Sequence, residues 1–477
     1  MQKTSHKENP APALVVDVDG SLLKTDLLFE SFWAALGRHP LLALRALFGL
    51  CFRKAALKKR LAELANLQVL LLPQRQEVLA LMARAQQEGR EVLLASGADE
   101  TPVKSLSDHL GLKAGPMASD GVTNLTAERK AAALTARFGV GNFEYIGDSR
   151  ADIPVWKVSA GGYVVAPDSA LKKRITKAGL SLGTISIRSR IAPLLRAMRP
   201  PQWVKNILLL LPILAAHRSD LVGVMLTLWG IVIFSAAASA IYIINDLMDL
   251  SADRQHPTKR NRPFAAGEAG IAEGMCLSAL LAVFALGGAA FHSLSLLGVI
   301  AVYMVLSLSY SLGLKRLRWV DISMLATLYT LRVVAGSVAA GVAMSGWLGA
   351  FVFPVFLALG GVKRLIELGK TTSDSPLPGR GYARRDRADL RNISVTSAIG
   401  AVVVYILYTY SEIAQSLYAS LWEIRLAALP VALWLGRMIY RGWQGRMDYD
   451  PIVFALRDPV GLALMAVGGG LLIHAAG

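Results

Sequence analysis

The chain has 477 residues, 54% of them hydrophobic and 18% charged, with a formal net charge of +17 and a mean hydropathy of +0.44. Those values suit a polytopic membrane protein better than a soluble one. The positive excess does not call for nucleic acid, because most of it lies in loops beside apolar runs, where the positive-inside rule accounts for it. Cys51 and Cys276 fall in different halves, so no disulfide framework is implied.

Charge is spread evenly up to about residue 190, and from 206 onward apolar runs alternate with short basic loops. Two domains are expected: a soluble α/β domain at 12–185 and an all-α membrane domain at 206–477, joined by a linker or interfacial segment at 186–205. The tail 1–11 reads as disordered. It leads straight into ALVVDVDG, whose aspartates exclude an apolar signal core, so the amino terminus is expected to stay in the cytoplasm.

The run Leu14–Val16 is an apolar strand ending in Asp-x-Asp-Gly. Alternation along a strand turns Asp17 and Asp19 the same way, at the end where open α/β sheets bind ligands. A second apolar strand at 91–99 carries Ser96, a third at 143–153 carries Asp148 and Asp152, and Lys130 lies between them. One Asp-x-Asp-Gly could be a solvated turn; four motifs in order on strand ends are a stronger signal. Together they resemble the haloacid dehalogenase superfamily of phosphatases, with its Rossmann-like fold. The resemblance implies that Asp17 is the nucleophile, Asp19 the acid/base, and Ser96 and Lys130 holders of the phosphoryl oxygens. Asp148 with Asp17 would ligate Mg²⁺, and Asp152 would be a secondary ligand. The long insertion at about 21–90 would be the helical cap of that superfamily. Within it, 41–64 is apolar and then basic: it is either cap core with a solvated face or a surface leaning on anionic lipid.

About nine spans are expected, at 206–217, 221–245, 271–291, 294–313, 322–341, 346–362, 394–411, 422–440 and 458–476. With the amino terminus inside, the basic loops at 246–270, 314–321, 363–393 and 441–457 are cytoplasmic and the carboxyl terminus is outside. This is the arrangement of a multi-pass protein in a bacterial cytoplasmic membrane.

The second span closes with INDLMDLSADRQHPTKRNRP. Asp246, Asp249 and Asp253 stand at i, i+3 and i+7, on one helical face, with Asn245 one turn before Asp249. Carboxylates at the edge of a membrane are costly and read as functional. Oxygen ligands without His or Cys favour Mg²⁺, and Lys259 and Arg262 suit a phosphate. The pattern resembles the UbiA superfamily of intramembrane prenyltransferases, which bind a Mg²⁺-diphosphate with such carboxylates. The second acidic motif of that family is reduced here to Asp321, with Lys315 and Arg316 ahead of it.

Within the superfamily, RPPQWVKN (199–206), YSLGLKR, LRVVAG (331–336), KRLIEL (363–368) and RGYARRDRADL (380–390) look most like the decaprenyl-phosphate phosphoribosyltransferase group. That likeness implies transfer from 5-phosphoribosyl-1-diphosphate to a polyprenyl phosphate. Asp246 and Asp249 would be central to catalysis and, with Asp253, would hold the metal. Lys259 and Arg262 would take the diphosphate or the 5-phosphate, Lys205, Lys315 and Arg316 are candidates for the lipid phosphate, and Asn206, Asn245, Asp321 and Arg332 are further candidates for substrate contact. Lys205, Lys315 and Arg316 are also open to reading as topology determinants.

The two halves then make a bifunctional enzyme with one Mg²⁺ in each domain. The phosphatase removes the 5-phosphate to leave polyprenyl-phosphoryl ribose, a precursor for arabinofuranosyl glycans. The alternatives are an aromatic prenyltransferase of quinone or haem synthesis, which predicts a second aspartate motif near Asp321, and a non-catalytic lipid-binding or transport protein. A homo-oligomer stays open.

Overall fold

The computed structural model describes residues 11–50, 52–186, 191–218, 220–370, 380–447 and 450–476. Residues 1–10 of the expected tail, Cys51, 187–190 of the expected linker and 371–379 of the loop expected at 363–393 lie outside them. The chain divides into one unit of Met1–Met198 with Tyr242–Ser278 and another of Arg199–Ile241 with Ala279–Gly477. The aspartate-rich segment after the second predicted span therefore belongs to the same compact unit as Met1–Met198.

The first unit is built on a parallel sheet of order β3-β2-β1-β4-β5-β6. Its strands are β1 (Ala13–Val16), β2 (Val92–Asp99), β3 (Met117–Ser119), β4 (Phe143–Gly147), β5 (Gly161–Val165) and β6 (Gly183–Ile185). β1 is apolar at all four positions because both faces are covered: Leu14 and Val16 enter one core cluster, Ala13 and Val15 the other. Its neighbours β2 and β4 run outward in opposite chain order. Asp17 therefore emerges where the strand order reverses, the place where such sheets bind ligands.

Between β1 and β2 the chain leaves the sheet through an antiparallel bridge, Leu23 to Gln74. Beyond it stand α1 (Leu27–Arg38), α2 (Pro40–Leu50) and α3 (Lys54–Ala65). Asp26 caps α1 by accepting from the amides of Leu28 and Phe29. These helices share their own small core of Ala35, Ala43, Leu57 and Leu61. The next helix, Gln76–Gln87, instead packs Val78, Met82 and Ala85 into the sheet core, so the inserted cap ends near Gln74. On α2 the two alanines face inward, while Leu41 and Phe48 are 82% and 77% exposed, more than a soluble cap needs.

Seven helices among the described residues are long and apolar enough to cross a membrane: Leu221–Met248, Ile271–His292, Leu294–Leu312, Val320–Ala340, Gly346–Gly369, Arg384–Tyr408 and Pro459–Ala476. The chain is a multi-pass membrane protein. The other two of the nine predicted spans are broken helices, each for a local reason. Around 206–217 the chain forms an 11-residue 3₁₀ segment, Pro200–Leu210, followed by the 5-residue helix Leu211–Ala215. At about 2.0 and 1.5 Å per residue those two pieces would rise roughly 30 Å, one hydrocarbon thickness. Around 422–440 the helices Leu421–Leu426 and Ala428–Trp443 meet at Ala427. Pro430 has no N–H for the Leu426 carbonyl and crowds it, which interrupts the ladder.

In this second unit, small residues let backbones meet. A Cβ on Gly336 would stand 2.0 Å from the Leu209 carbonyl oxygen, so Val320–Ala340 lies directly against the 3₁₀ segment. Helices Val320–Ala340 and Gly346–Gly369 are about half buried (50% and 56%), whereas Pro459–Ala476 is 17% buried and leaves most of its apolar surface uncovered by the described residues.

Candidate functional site

At the carboxyl end of β1, the buried Asp17 accepts from Lys130 Nζ at 2.7 Å. The same ammonium meets Tyr145 Oη at 2.9 Å, and that phenol donates to Asp152 Oδ1 at 2.7 Å. Asp152 Oδ2 takes the amides of Asp148 and Ser149 at 3.2 and 3.0 Å and the Ser149 hydroxyl at 2.9 Å. Asp152 thus shapes the turn after β4. Ser96, fully buried, donates to Asp19 Oδ2 at 3.3 Å and accepts from Ala98 N at 2.9 Å.

Gly20 is required where it stands. Its φ is +73°, and a Cβ there would lie 2.0 Å from Asp148 Oδ2. Asp17, Asp148 and Asp152 each offer an oxygen within 4.8 Å of the others, the one such trio among the described residues. An all-oxygen, anionic donor set of this kind fits a hard divalent cation.

Burial pushes the Asp17 carboxyl up to about 6 against the opposing pull of Lys130. Asp19 is raised well above the usual carboxylate range, first by burial and then by repulsion from Asp26 and Asp17. A carboxyl raised in this way beside a second carboxylate has the character that general acid chemistry uses. From the cap, Lys58 Nζ reaches Gly97 O at 2.5 Å and Asn124 Oδ1 at 2.9 Å. The structure thus brings together Asp17, Asp19, Ser96, Lys130, Asp148 and Asp152. It adds Tyr145 and Lys58, which no motif marked.

The aspartate-rich segment of the same unit is arranged differently. Helix Leu221–Met248 stops at Asp249, which precedes a short helix, Leu250–Gln255, without a side-chain capping bond, so the expected stripe bends at its middle carboxylate. Arg262 Nη1 bridges Asp246 Oδ1 at 3.0 Å and Asp253 Oδ2 at 2.7 Å. A guanidinium thus stands where the sequence predicted a shared cation. Burial raises Asp253, against the pull of Arg262. Asn245 Oδ1 is buried without a hydrogen-bond partner, an acceptor that a cation or its water would satisfy. Lys259 is exposed in a 3₁₀ turn, Lys259–Asn261.

In the second unit Asp321 is fully buried and saturated. Arg364 grips both its oxygens, and Arg380 Nη1 and Tyr310 Oη each approach Oδ1 at 2.9 Å. Asp321 therefore anchors two arginines. Lys205 is paired with Asp450 at 2.9 Å, and Lys363 joins at 3.3 Å. Burial alone would raise Asp450, but those two ammoniums outweigh it and hold it well below its usual value.

Arg332 donates to Asn206 Oδ1 at 3.1 Å, and its guanidinium lies 5.1, 5.3 and 4.9 Å from the rings of Phe234, Tyr303 and Tyr329. Asn206 gives its Nδ2 to Ser235 at 2.8 Å, so both ends of that amide are committed within the protein. Arg332 and Gly336, one turn apart, explain why LRVVAG and RPPQWVKN occur together: both face the 3₁₀ segment. Lys315 is half-buried and Arg316 exposed in the turn Leu314–Arg316. Tyr382 accepts from the Trp319 amide at 3.0 Å and Asp389 pairs with Arg318 at 2.8 Å, which gives both residues a structural place. Arg364, Arg380 and Tyr310 lay inside the quoted motifs, but charge alone did not single them out from their basic neighbours.

Residues 207–457 match the UbiA prenyltransferase family. The chain belongs to that family. It is 34% identical to the uncharacterized protein y4nM of Sinorhizobium fredii over 93% of this chain and 87% of that one, which spans both units. It is 32% identical to decaprenyl-phosphate phosphoribosyltransferase of Mycobacterium tuberculosis over 60% of this chain and 94% of that one. A solved structure of a UbiA homolog from Archaeoglobus fulgidus bound to DMAPP and Mg²⁺ is similar over 58% of this chain and 98% of that one, at 15% identity and a TM-score of 0.45. As a UbiA family member, the protein is a membrane transferase of the prenyltransferase type.

Proposed function

We propose that the membrane site transfers a 5-phosphoribosyl group from 5-phosphoribosyl-1-diphosphate to a polyprenyl phosphate. The soluble site, a phosphatase of the haloacid dehalogenase type, then removes the 5-phosphate. The observation that carries this reading is one compact unit holding both the Asp17–Lys130–Asp19 constellation and the Asp246–Asp253–Arg262 segment. The similarity to decaprenyl-phosphate phosphoribosyltransferase of Mycobacterium tuberculosis supports the phosphoribosyl half.

In the transfer, the bond from ribose C1 to diphosphate breaks and an oxygen of the lipid phosphate bonds C1 from the opposite face. Arg262 and Lys259 take up charge gathering on the leaving diphosphate. Asn245, Asp246, Asp249 and Asp253 are the residues that would hold Mg²⁺ there. In the hydrolysis, Asp17 attacks phosphorus, the P–O bond to ribose breaks, and Asp19 protonates the departing O5. Asp19 then takes a proton from the water that cleaves the aspartyl phosphate. Lys130 and Ser96 hold the phosphoryl oxygens. Asp17, Asp148 and Asp152 would hold a Mg²⁺ that offsets repulsion between the carboxylate and the phosphate.

The reading includes nine crossings, with the two broken segments counted as spans, in a bacterial cytoplasmic membrane. Both sites and the amino terminus face the cytoplasm. An aromatic prenyltransferase would need a second metal-binding carboxylate motif, and Asp321 is occupied by Arg364 and Arg380. The test offers the purified protein either labelled 5-phosphoribosyl-1-diphosphate with a polyprenyl phosphate, or 4-hydroxybenzoate with a polyprenyl diphosphate. Label entering the lipid fraction only with the first pair supports the proposal; prenylated benzoate from the second pair overturns it.

A further inference from the structure

The segment that carries the membrane-side carboxylates does not stand alone. Arg254, the residue after Asp253, has its side chain buried to 6% exposure against the side chain of Glu30, itself at 2%. The pair is bidentate, Nη1 to Oε2 at 3.0 Å and Nη2 to Oε1 at 2.6 Å, while Arg254 Nε donates to Ala265 O at 3.1 Å. Glu30 lies in the first turn of α1 and also accepts from Thr25 Oγ1 at 2.8 Å. Around this pair, Gln255 meets Gln68 at 2.9 Å. A Cβ on Gly267 (φ +66°) would strike Lys24 Cβ at 2.7 Å and Pro73 Cγ at 2.8 Å, so the turn seats on the neck of the cap. The amide at the start of α1, Leu27 N, donates to Asp19 Oδ1 at 2.8 Å. One turn of α1 therefore touches the phosphatase acid at one end and the carboxylate segment at the other.

A surface pair contributes little, but a buried, bidentate and otherwise satisfied one fixes geometry, and removing one partner leaves an uncompensated charge inside. We infer that Glu30 is a positioning residue for the membrane-side site, holding Arg254 so that Asp253 and Arg262 are set to receive the diphosphate of the donor. The inference rests on the proposed function for the identity of that donor. It goes beyond that proposal in making phosphoribosyl transfer depend on a side chain of the phosphatase cap.

The test uses the full chain in nanodiscs, as wild type, Glu30→Gln and the exchanged pair Glu30→Arg with Arg254→Glu. Glu30→Gln should raise the KM for 5-phosphoribosyl-1-diphosphate about tenfold or more, with the KM for polyprenyl phosphate and the hydrolysis of p-nitrophenyl phosphate within threefold of wild type. The exchanged pair should recover part of the loss. Hydrogen exchange across 250–266, which needs no activity, should quicken in Glu30→Gln. An unchanged donor KM overturns the inference, as does equal loss of transfer and hydrolysis. Unchanged exchange overturns it whatever the kinetics. Wild type that transfers no ribose label, with exchange quickened in the variant, sinks the proposed substrate and leaves the latch standing.

Discussion

Replacing Asp321 with alanine separates two readings of the reduced second acidic motif. Asp321 and Arg364 have no exposed side-chain surface, and Arg380 completes the cluster at 2.9 Å. Removing one partner of a buried ion pair costs about 3–5 kcal/mol, because the other charge is left uncompensated. Arg364 keeps Glu367 at 2.6 Å and Tyr310 at 3.0 Å, which puts the expected loss near the low end. About 3 kcal/mol corresponds to roughly a 150-fold shift in the unfolding equilibrium. Denaturant unfolding in detergent micelles should register that shift. Adding Arg364→Leu should recover part of it, since the stranded charge goes too. The Mg²⁺ concentration for half-maximal transfer should stay within twofold of wild type. Wild-type stability in Asp321→Ala, combined with a shifted Mg²⁺ requirement, would mean that Asp321 binds metal and that the anchoring account is wrong.

Asp17→Asn should leave phosphoribosyl transfer running and stop the dephosphorylation, so that the lipid product retains its 5-phosphate by mass spectrometry; identical products from variant and wild type would remove the phosphatase from the pathway. Gly20→Val should cut p-nitrophenyl phosphate hydrolysis about a hundredfold, since the side chain displaces Asp148 from beside a positive-φ turn. A variant that keeps half the wild-type rate would contradict that packing argument. In a background without Cys51 and Cys276, Arg385→Cys should react only with a reagent on the cytoplasmic side and Ser416→Cys only from outside. The reverse pattern would separate the carboxylate segment from a cytoplasmic donor.

The soluble fold was legible because its signals are local. Apolar strands end in the polar residues of the candidate site, and the parallel sheet brings Asp17, Ser96 and Asp148 to one edge. Tyr145 was missed because a tyrosine within a strand reads as core until its hydroxyl is seen between Lys130 and Asp152. In the membrane half the spans followed from hydropathy, except where a 3₁₀ stretch and Pro430 broke the helices. Long-range pairing was not legible in either half. Arg364 with Asp321, Lys205 with Asp450 and Glu30 with Arg254 are far apart in sequence, and no periodicity connects such partners. The sequence reading placed the boundary between its two parts near residue 206, whereas the structure returns Tyr242–Ser278 to the unit of the parallel sheet through contacts that composition does not encode.

The central claim is that one chain both attaches a phosphoribosyl group to a lipid phosphate and strips its 5-phosphate. It is tested most directly with 5-phosphoribosyl-1-diphosphate labelled with ¹⁴C in the ribose and ³²P in the 5-phosphate, added with a polyprenyl phosphate and Mg²⁺ to the purified protein. The account predicts ¹⁴C in the lipid fraction and ³²P released as inorganic phosphate. Both labels remaining together in the lipid would contradict the phosphatase half, and neither label entering the lipid would contradict the transferase half.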